Sequence, residues 1–216
     1  MASHAFVIVD TTIPANAWLH FDEPNNNFPI HYLGPRADTI AIGEQYWFGN
    51  KKKWDEAVIN AASFRYAEEN LQIVVDTAIH SNLRTLYLSG TGYKINEDST
   101  INYNAYIFSI RNTGDSTLFM GISQSLLLMW LEAKNHQGQW LRLGKRIVLA
   151  CGTGLPAINL RPDEIILAKM CRYRGNMITD FRLAFQRGGK AVYSNVFKDS
   201  IDERTLALAY QGELGQ

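Results

Sequence analysis

Thr179 to Phe197, TDFRLAFQRGGKAVYSNVF, is the stretch whose reading decides the fold class. Thr179, Phe181, Leu183 and Phe185 alternate with Asp180, Arg182, Ala184 and Gln186, the period of two that marks a half-buried strand. Gly188-Gly189 then offers the positive φ angles of a two-residue hairpin turn. With those glycines as the loop, Phe185 faces Val192, Leu183 faces Ser194 and Phe181 faces Val196 on an apolar side. Arg182 faces Asn195 and Ala184 faces Tyr193 on a polar side. A ribbon with one greasy and one polar face covers a core.

Working outward, the second half of the chain repeats this texture. Strands are expected at Ala105–Arg111, Thr117–Ile122, Leu126–Ala133, Gln139–Leu143, Ile147–Cys151, Ile165–Tyr173, Thr179–Gln186 and Ala191–Phe197. Asn112-Thr113-Gly114-Asp115, Asn135-His136-Gln137-Gly138, Gly152–Pro156, Arg161-Pro162-Asp163 and Gly175-Asn176 supply turns between them. Such spacing belongs to a sandwich or barrel. The tail, Asp202 to Tyr210, reads as a final strand or a short helix.

The first half is less regular. Phe6–Val9 and Leu71–Val75 are short β-branched runs, each followed by Asp-Thr, and the match of Val7–Ile13 to Ile73–Ile79 reads either as chance in strand-like composition or as a duplicated strand-turn unit. Pro14, Pro24, Pro29 and Pro35 exclude a long helix between them and disfavour a central strand. That segment reads as an ordered wrap burying Trp18, Phe21, Phe28 and Tyr32. Asp38–Ile42 suggests a short strand, and Trp54–Glu69 reads as a helix or as a strand through Ala62–Tyr66. The fold expected is mostly β: an antiparallel β-sandwich, immunoglobulin-like or jelly-roll-like, with an irregular β-rich N-terminal half and at most one or two short helices. Residues 1–95 form the β-rich region with the Pro-rich wrap, and residues 96–216 form the sandwich. The first part either folds alone or adds strands to the same core.

With 216 residues, 46% of them hydrophobic, the chain can bury a sizeable core. Twenty-one basic and 21 acidic residues cancel. This argues against a nucleic-acid binder or a polybasic membrane-surface protein, and it removes repulsion between copies. No transmembrane segment is expected, since no run approaches the roughly 20 apolar residues a spanning helix needs. The opening MASHAFVIVD lacks the basic region and long apolar stretch of a signal peptide. Cys151 and Cys171, the only cysteines, read either as reduced core thiols or as one disulfide between adjacent strands.

Several segments of the second half taken together carry a family likeness. They are Asn112, Thr117–Gly121, Gly138-Gln139-Trp140, Cys151-Gly152, Leu160–Glu164, Tyr173-Arg174-Gly175, Thr179–Leu183 and Tyr193–Phe197. In this order they resemble a group of uncharacterised β-sandwich proteins of the bacterial cell envelope. Leu33-Gly34-Pro35, Asp38-Thr39-Ile40 and Val75-Asp76-Thr77 fit the same pattern. The resemblance implies a sandwich in the cell envelope or outside the cell. It carries no catalytic residue, because its shared positions are turns, edges and core aromatics.

No catalytic constellation is legible. His4, His20, His31, His80 and His136 show neither HxH nor HExxH spacing, so no metal site is expected. Gly90-Thr91-Gly92 and Gly152-Thr153-Gly154 lack the continuation of a phosphate loop, and no nucleophile elbow is present. Cys151 ends an apolar strand and reads as inert. Asp22-Glu23, Glu68-Glu69, Glu97-Asp98, Asp163-Glu164 and Asp202-Glu203 are carboxylate pairs best read as turns or solvated ends. No cofactor is expected. The aromatic residues stand out, with five Trp, ten Tyr and ten Phe. Tyr46, Trp47 and Trp54, beside Lys51–Lys53, are the candidate ligand-binding residues: a stacking platform for a glycan or a protein, or else the closure of one end of the core. The expectation is a non-enzymatic sandwich acting by surface recognition, with a protein partner or self-association, or as a subunit of an envelope or extracellular assembly. A carbohydrate-binding module and a hydrolase with carboxylates converging in space are the alternatives.

Overall fold

The computed structural model describes residues 6–10, 18, 28–43, 70–86, 100–122, 126, 128–143, 157–186 and 190–207. Among them are thirteen strands and one short helix. In the first half lie β1 (Val7–Asp10), β2 (Ile30–Pro35), β3 (Thr39–Ile42) and β4 (Leu71–Leu86). They are followed by β5 (Thr100–Asn112), β6 (Leu118–Ile122), β7 (Met129–Lys134), β8 (Trp140–Leu143) and β9 (Ala157–Leu160). The last are β10 (Glu164–Cys171), β11 (Met177–Phe185), β12 (Val192–Tyr193), β13 (Phe197–Ile201) and α1 (Glu203–Ala207). The fold is mostly β and sandwich-like.

One sheet runs β2-β10-β5-β4, antiparallel throughout, and combines strands from both sides of residue 95. The other runs β12-β11-β7-β8, with β13 also on β11. Alternation builds both sheets. In β7 Met129, Leu131 and Ala133 are buried while Trp130, Glu132 and Lys134 are half-buried on the far side. Ile73, Phe108, Ile110, Ile166 and Met170 of the first sheet share one core with Leu131, Phe181, Leu183 and Phe185 of the second. Ser109, Lys169 and Asn112 are buried polar exceptions.

β2 carries Pro29 and Pro35 at its ends and takes the edge of its sheet, the place where a strand flanked by proline loses least. β1 and β3 pair in parallel, an exception to the antiparallel expectation. This ribbon covers the outward side of the four-stranded sheet, where Ile40, Ile42, Ile107, Ile165 and Leu167 form a second, smaller core with Phe6 and Ile8. Val7 and Val9 of β1 point away from it and are exposed.

The ribbon at Thr179–Phe197 differs from its sequence reading in register. Phe185 opposes Val192 and Ala184 opposes Tyr193, as the alternation requires. Phe181, however, opposes Phe197, not Val196, and Val196 is 53% exposed. The strand expected over Ala191–Phe197 is broken into β12 and β13 by Ser194–Val196. The cause is local. The Leu183 amide donates to the Ser194 hydroxyl at 2.9 Å, so a side chain takes the place of a ladder carbonyl. The displaced Asn195 does not face Arg182. Its amide group donates to the Val75 carbonyl at 3.1 Å and accepts the Val75 amide at 2.8 Å, supplying a strand's pair of bonds to the edge of the other sheet. The Gly188-Gly189 turn lies outside the described residues.

β4 is also longer than expected. Asp76-Thr77 makes a bulge within it, not an end. The register jumps from Asp76–Ile107 to His80–Tyr106, and the Ala78 amide donates to the Asp76 carboxylate at 2.9 Å. Thus the described part of the first copy, Val7–Asp10, and Ile73–Ile79 sit in unlike settings: β1 in a parallel ribbon, the later copy across a bulge in an antiparallel pair. The tail forms α1, opened by Asp202, whose carboxylate accepts the Arg204 amide at 2.9 Å. Gly175 lies where a Cβ would stand 1.9 Å from the Asp202 nitrogen, so no larger residue lets this end of the chain close.

Candidate functional site

The outward face of the five-stranded sheet is built by strict alternation. β7 contributes Trp130, Glu132 and Lys134, and β11 contributes Asp180, Arg182 and Ala184. β8, β12 and β13 add Trp140 and Arg142, Tyr193 and Lys198. The registered rows are Trp130–Ala184–Tyr193, Arg142–Glu132–Arg182 and Lys134–Trp140. Ala184 is wholly buried although it points outward, because its two neighbours in the row are aromatic.

Arg182 is the hub. Its guanidinium lies 4.2 Å from the Trp140 ring centroid and 3.7 Å from that of Tyr193, while its Nε donates to Glu132 at 2.7 Å. Glu132 also accepts the Trp130 indole N–H at 2.9 Å. Arg142 lies over Trp130 at 4.6 Å and Lys134 over Trp140 at 4.9 Å. Asp180 holds both Lys134 and Lys198 at 3.0 Å, and these bonds keep its carboxyl below the usual range. Each contact is modest alone, about 0.5–2 kcal/mol for a cation over a ring. Together they hold long side chains in place and restrict their rotamers.

No protein-family profile, curated protein or solved structure matches this chain.

Tyr46, Trp47 and Trp54, with Lys51–Lys53, lie outside the described residues. So do Cys151, both Gly-Thr-Gly loops, and the carboxylate pairs at 22–23, 68–69 and 97–98. Two pairs are described. Glu164 folds back to accept the Arg161 amide at 3.0 Å across a turn in which Asp163 has φ 60°. Asp202 caps α1 and is paired with Arg204, which pushes its carboxyl down to about 2. Cys171 is buried at the end of β10. Among the described residues no group of three His, Cys, Asp or Glu side chains is placed to hold a metal ion, and no helix is long and apolar enough to cross a membrane.

A second polar cluster lies between the four-stranded sheet and the β1–β3 ribbon. Lys169 falls on the outward side of β10 beside Ile165 and Leu167, and the ribbon closes over it. Its side chain has no exposed surface. Nζ donates to both oxygens of Asp10, at 3.1 and 2.9 Å, and to the Asn82 carbonyl at 3.0 Å. The Ser81 hydroxyl donates to Asp10 as well. Burial lowers the Lys169 ammonium from its ordinary range, and Asp10 opposes that shift. His31 joins from β2. The bulge opposite Leu167–Ala168 turns it toward the ribbon, where Nδ1 donates to the Gly43 carbonyl at 2.9 Å. Its Nε2 is buried without a hydrogen bond, and burial, then the Lys169 charge, pushes the imidazole down to about 4.

A third cluster braces the two sheets. Arg172 grips Asp199 through two bonds of 3.1 and 3.0 Å, with its guanidinium 4.3 Å from the Tyr106 ring and 4.9 Å from that of Trp18. Burial and the Asp199 charge push the Tyr106 hydroxyl up to about 12. The cavity at this junction, about 10 Å³, has room for a water and no larger ligand.

The aromatic face was only partly legible. Asp180, Arg182 and Tyr193 follow from the hairpin alternation. Trp130 and Trp140 needed the registers of β7 and β8, which periodicity alone does not give. Lys169 had a local signal: one lysine within the apolar run Ile165–Cys171 of an expected strand.

Proposed function

We propose that this chain is a non-enzymatic β-sandwich that works by surface recognition through the outward face of its five-stranded sheet. The Trp140–Arg182–Tyr193 stack, pinned by Glu132, is the observation that carries the reading. Aromatic and arginine side chains with restricted motion are the groups that dominate binding energy at protein interfaces. Net charge of zero favours association with a protein partner or a second copy. The resemblance to cell-envelope sandwiches supports an envelope or extracellular assembly as the setting.

A glycan is the second reading, favoured by the partly exposed rings of Trp130, Trp140 and Tyr193 on one sheet face. Sugars stack on such rings. The test is the solution mass of the chain by light scattering over a range of concentrations, alongside a glycan screen. Each is repeated with Tyr193→Ser, which removes an exposed ring without opening the core. Self-association that weakens in the variant supports assembly through this face. A concentration-independent monomer that binds a glycan, and loses it in the variant, supports the second reading. Binding or association unchanged by Tyr193→Ser excludes this face from either role.

A further inference from the structure

The geometry points to a covalent amide between the Lys169 side chain and the Asp10 side chain, a self-made cross-link between β10 and β1. Three features of the chamber carry it. The amine nitrogen lies within 3.1 Å of both carboxylate oxygens, so the carboxyl carbon lies next to it, with no solvent on the lysine side. The pair is held in register from both directions: Lys169 by the Asn82 carbonyl, Asp10 by the Ser81 hydroxyl. Reaction of groups fixed in this way loses the entropic barrier of bringing them together.

The third feature is what the product keeps. An ion pair withheld from water carries a desolvation cost that its mutual attraction offsets only in part. A neutral amide carries neither charge. Its N–H retains the bond to the Asn82 carbonyl, and its carbonyl oxygen retains the bond from Ser81. The bonds to Asn82 and from Ser81 thus both survive the change.

The step balances without a cofactor. A proton passes from the Lys169 ammonium to the Asp10 carboxylate, leaving a neutral amine beside a neutral carboxylic acid, the form that a dry site favours. The nitrogen lone pair attacks Cγ, a C–N bond forms, and one Cγ–O bond breaks. The departing oxygen leaves as water, carrying the carboxyl proton and one proton from the amine. Nothing is oxidised or reduced.

The two residues are 159 positions apart, so the bond closes most of the chain, from β1 to β10, into one loop. It also rivets the β1–β3 ribbon to the sheet it covers. Cross-links that close long loops restrict the unfolded chain the most.

Intact mass of the purified full chain, denatured and reduced, decides the matter. The expected mass is that of the sequence less one water. Trypsin should fail to cut after Lys169 and should release one branched peptide joining the segments that contain Asp10 and Lys169. Lys169→Arg keeps a cation in the chamber but offers no amine, and should show the full mass. Asp10→Asn should lose ammonia in place of water and arrive at the wild-type product mass. Wild-type protein that is folded by circular dichroism yet shows the full mass overturns the proposal. So does a water deficit that survives in Lys169→Arg or maps to another pair of residues.

Discussion

On one side of the sandwich Lys169 meets Asp10 at 2.9 Å with no part of its side chain in water; on the other Lys198 meets Asp180 at 3.0 Å with 73% of its side chain exposed. Distance is nearly the same, and distance decides little. In the dry setting the Lys169 charge has given up its hydration and Asp10 most of its own, and breaking the pair strands the lysine. In the wet setting water replaces whichever partner is removed, and salt screens what remains. The outward face of the four-stranded sheet is therefore a place where polar groups hold structure. The outward face of the five-stranded sheet is a place where an exposed cation such as Lys198 stays in water.

The largest effect expected from this contrast is at Asp10. Asp10→Ala leaves Lys169 buried with neither ion partner nor amide, and should cost about 3–5 kcal/mol in urea unfolding. Replacing both, as Asp10→Leu with Lys169→Met, should recover most of that loss, because no lone charge remains. A single variant as stable as wild type would show that water reaches the chamber, and the contrast between the faces would collapse.

The next effect is a pH dependence from the same chamber. The unfolded chain protonates His31 near its ordinary 6.5, while burial in the folded chain delays protonation to about 4. The unfolded state binds more protons in that window. This contribution is thus intact above the unfolded value and is lost as pH falls toward 4, about 2 kcal/mol between pH 7 and pH 5. The lowered carboxyls of Asp180 and Asp202 are lost only further down, below the ordinary carboxylate value. His31→Gln should flatten the slope between pH 7 and pH 5. An unchanged slope would place its origin elsewhere.

Sequence reading reached the fold class because alternation is a local signal: β7 and β11 alternate, and β10 is apolar from Ile165 to Cys171 but for Lys169. It lost register wherever a side chain replaced a backbone partner. Ser194 does so at Leu183, and Asp76 does so at Ala78. Asp76 is visible as a turn-forming residue, but whether it ends a strand or bulges one depends on a partner strand distant in sequence, and Ser194 reads as an ordinary strand position. β5 is long enough to pair on both sides of the Asp76 bulge, so β4 continues. Lys169 illustrates the same limit. A lysine in an apolar strand is a local signal, but Asp10 stands 159 residues away and no spacing rule connects them.

Arg182 lies between the extremes, partly buried and stacked on two rings. Arg182→Ala should cost about 1–2 kcal/mol, from the cation–π contacts and the Glu132 bond. Under the proposed function it should also abolish binding or association, a loss disproportionate to its effect on stability. A large stability loss with binding intact would mean that the stack serves the fold and that the two faces do the same job.

The smallest effect is the most discriminating. Lys198→Ala should leave the unfolding midpoint unchanged within error, because Asp180 keeps Lys134 at 3.0 Å and water takes the vacated place. Its interest lies in ionic strength. If the sheet face docks a partner through complementary charge, removing an exposed rim cation should slow association and weaken its salt dependence, with the dissociation rate little altered. A changed dissociation rate would instead place Lys198 inside the contact, and the recognition surface would then extend from the aromatic stack across β11 to β13.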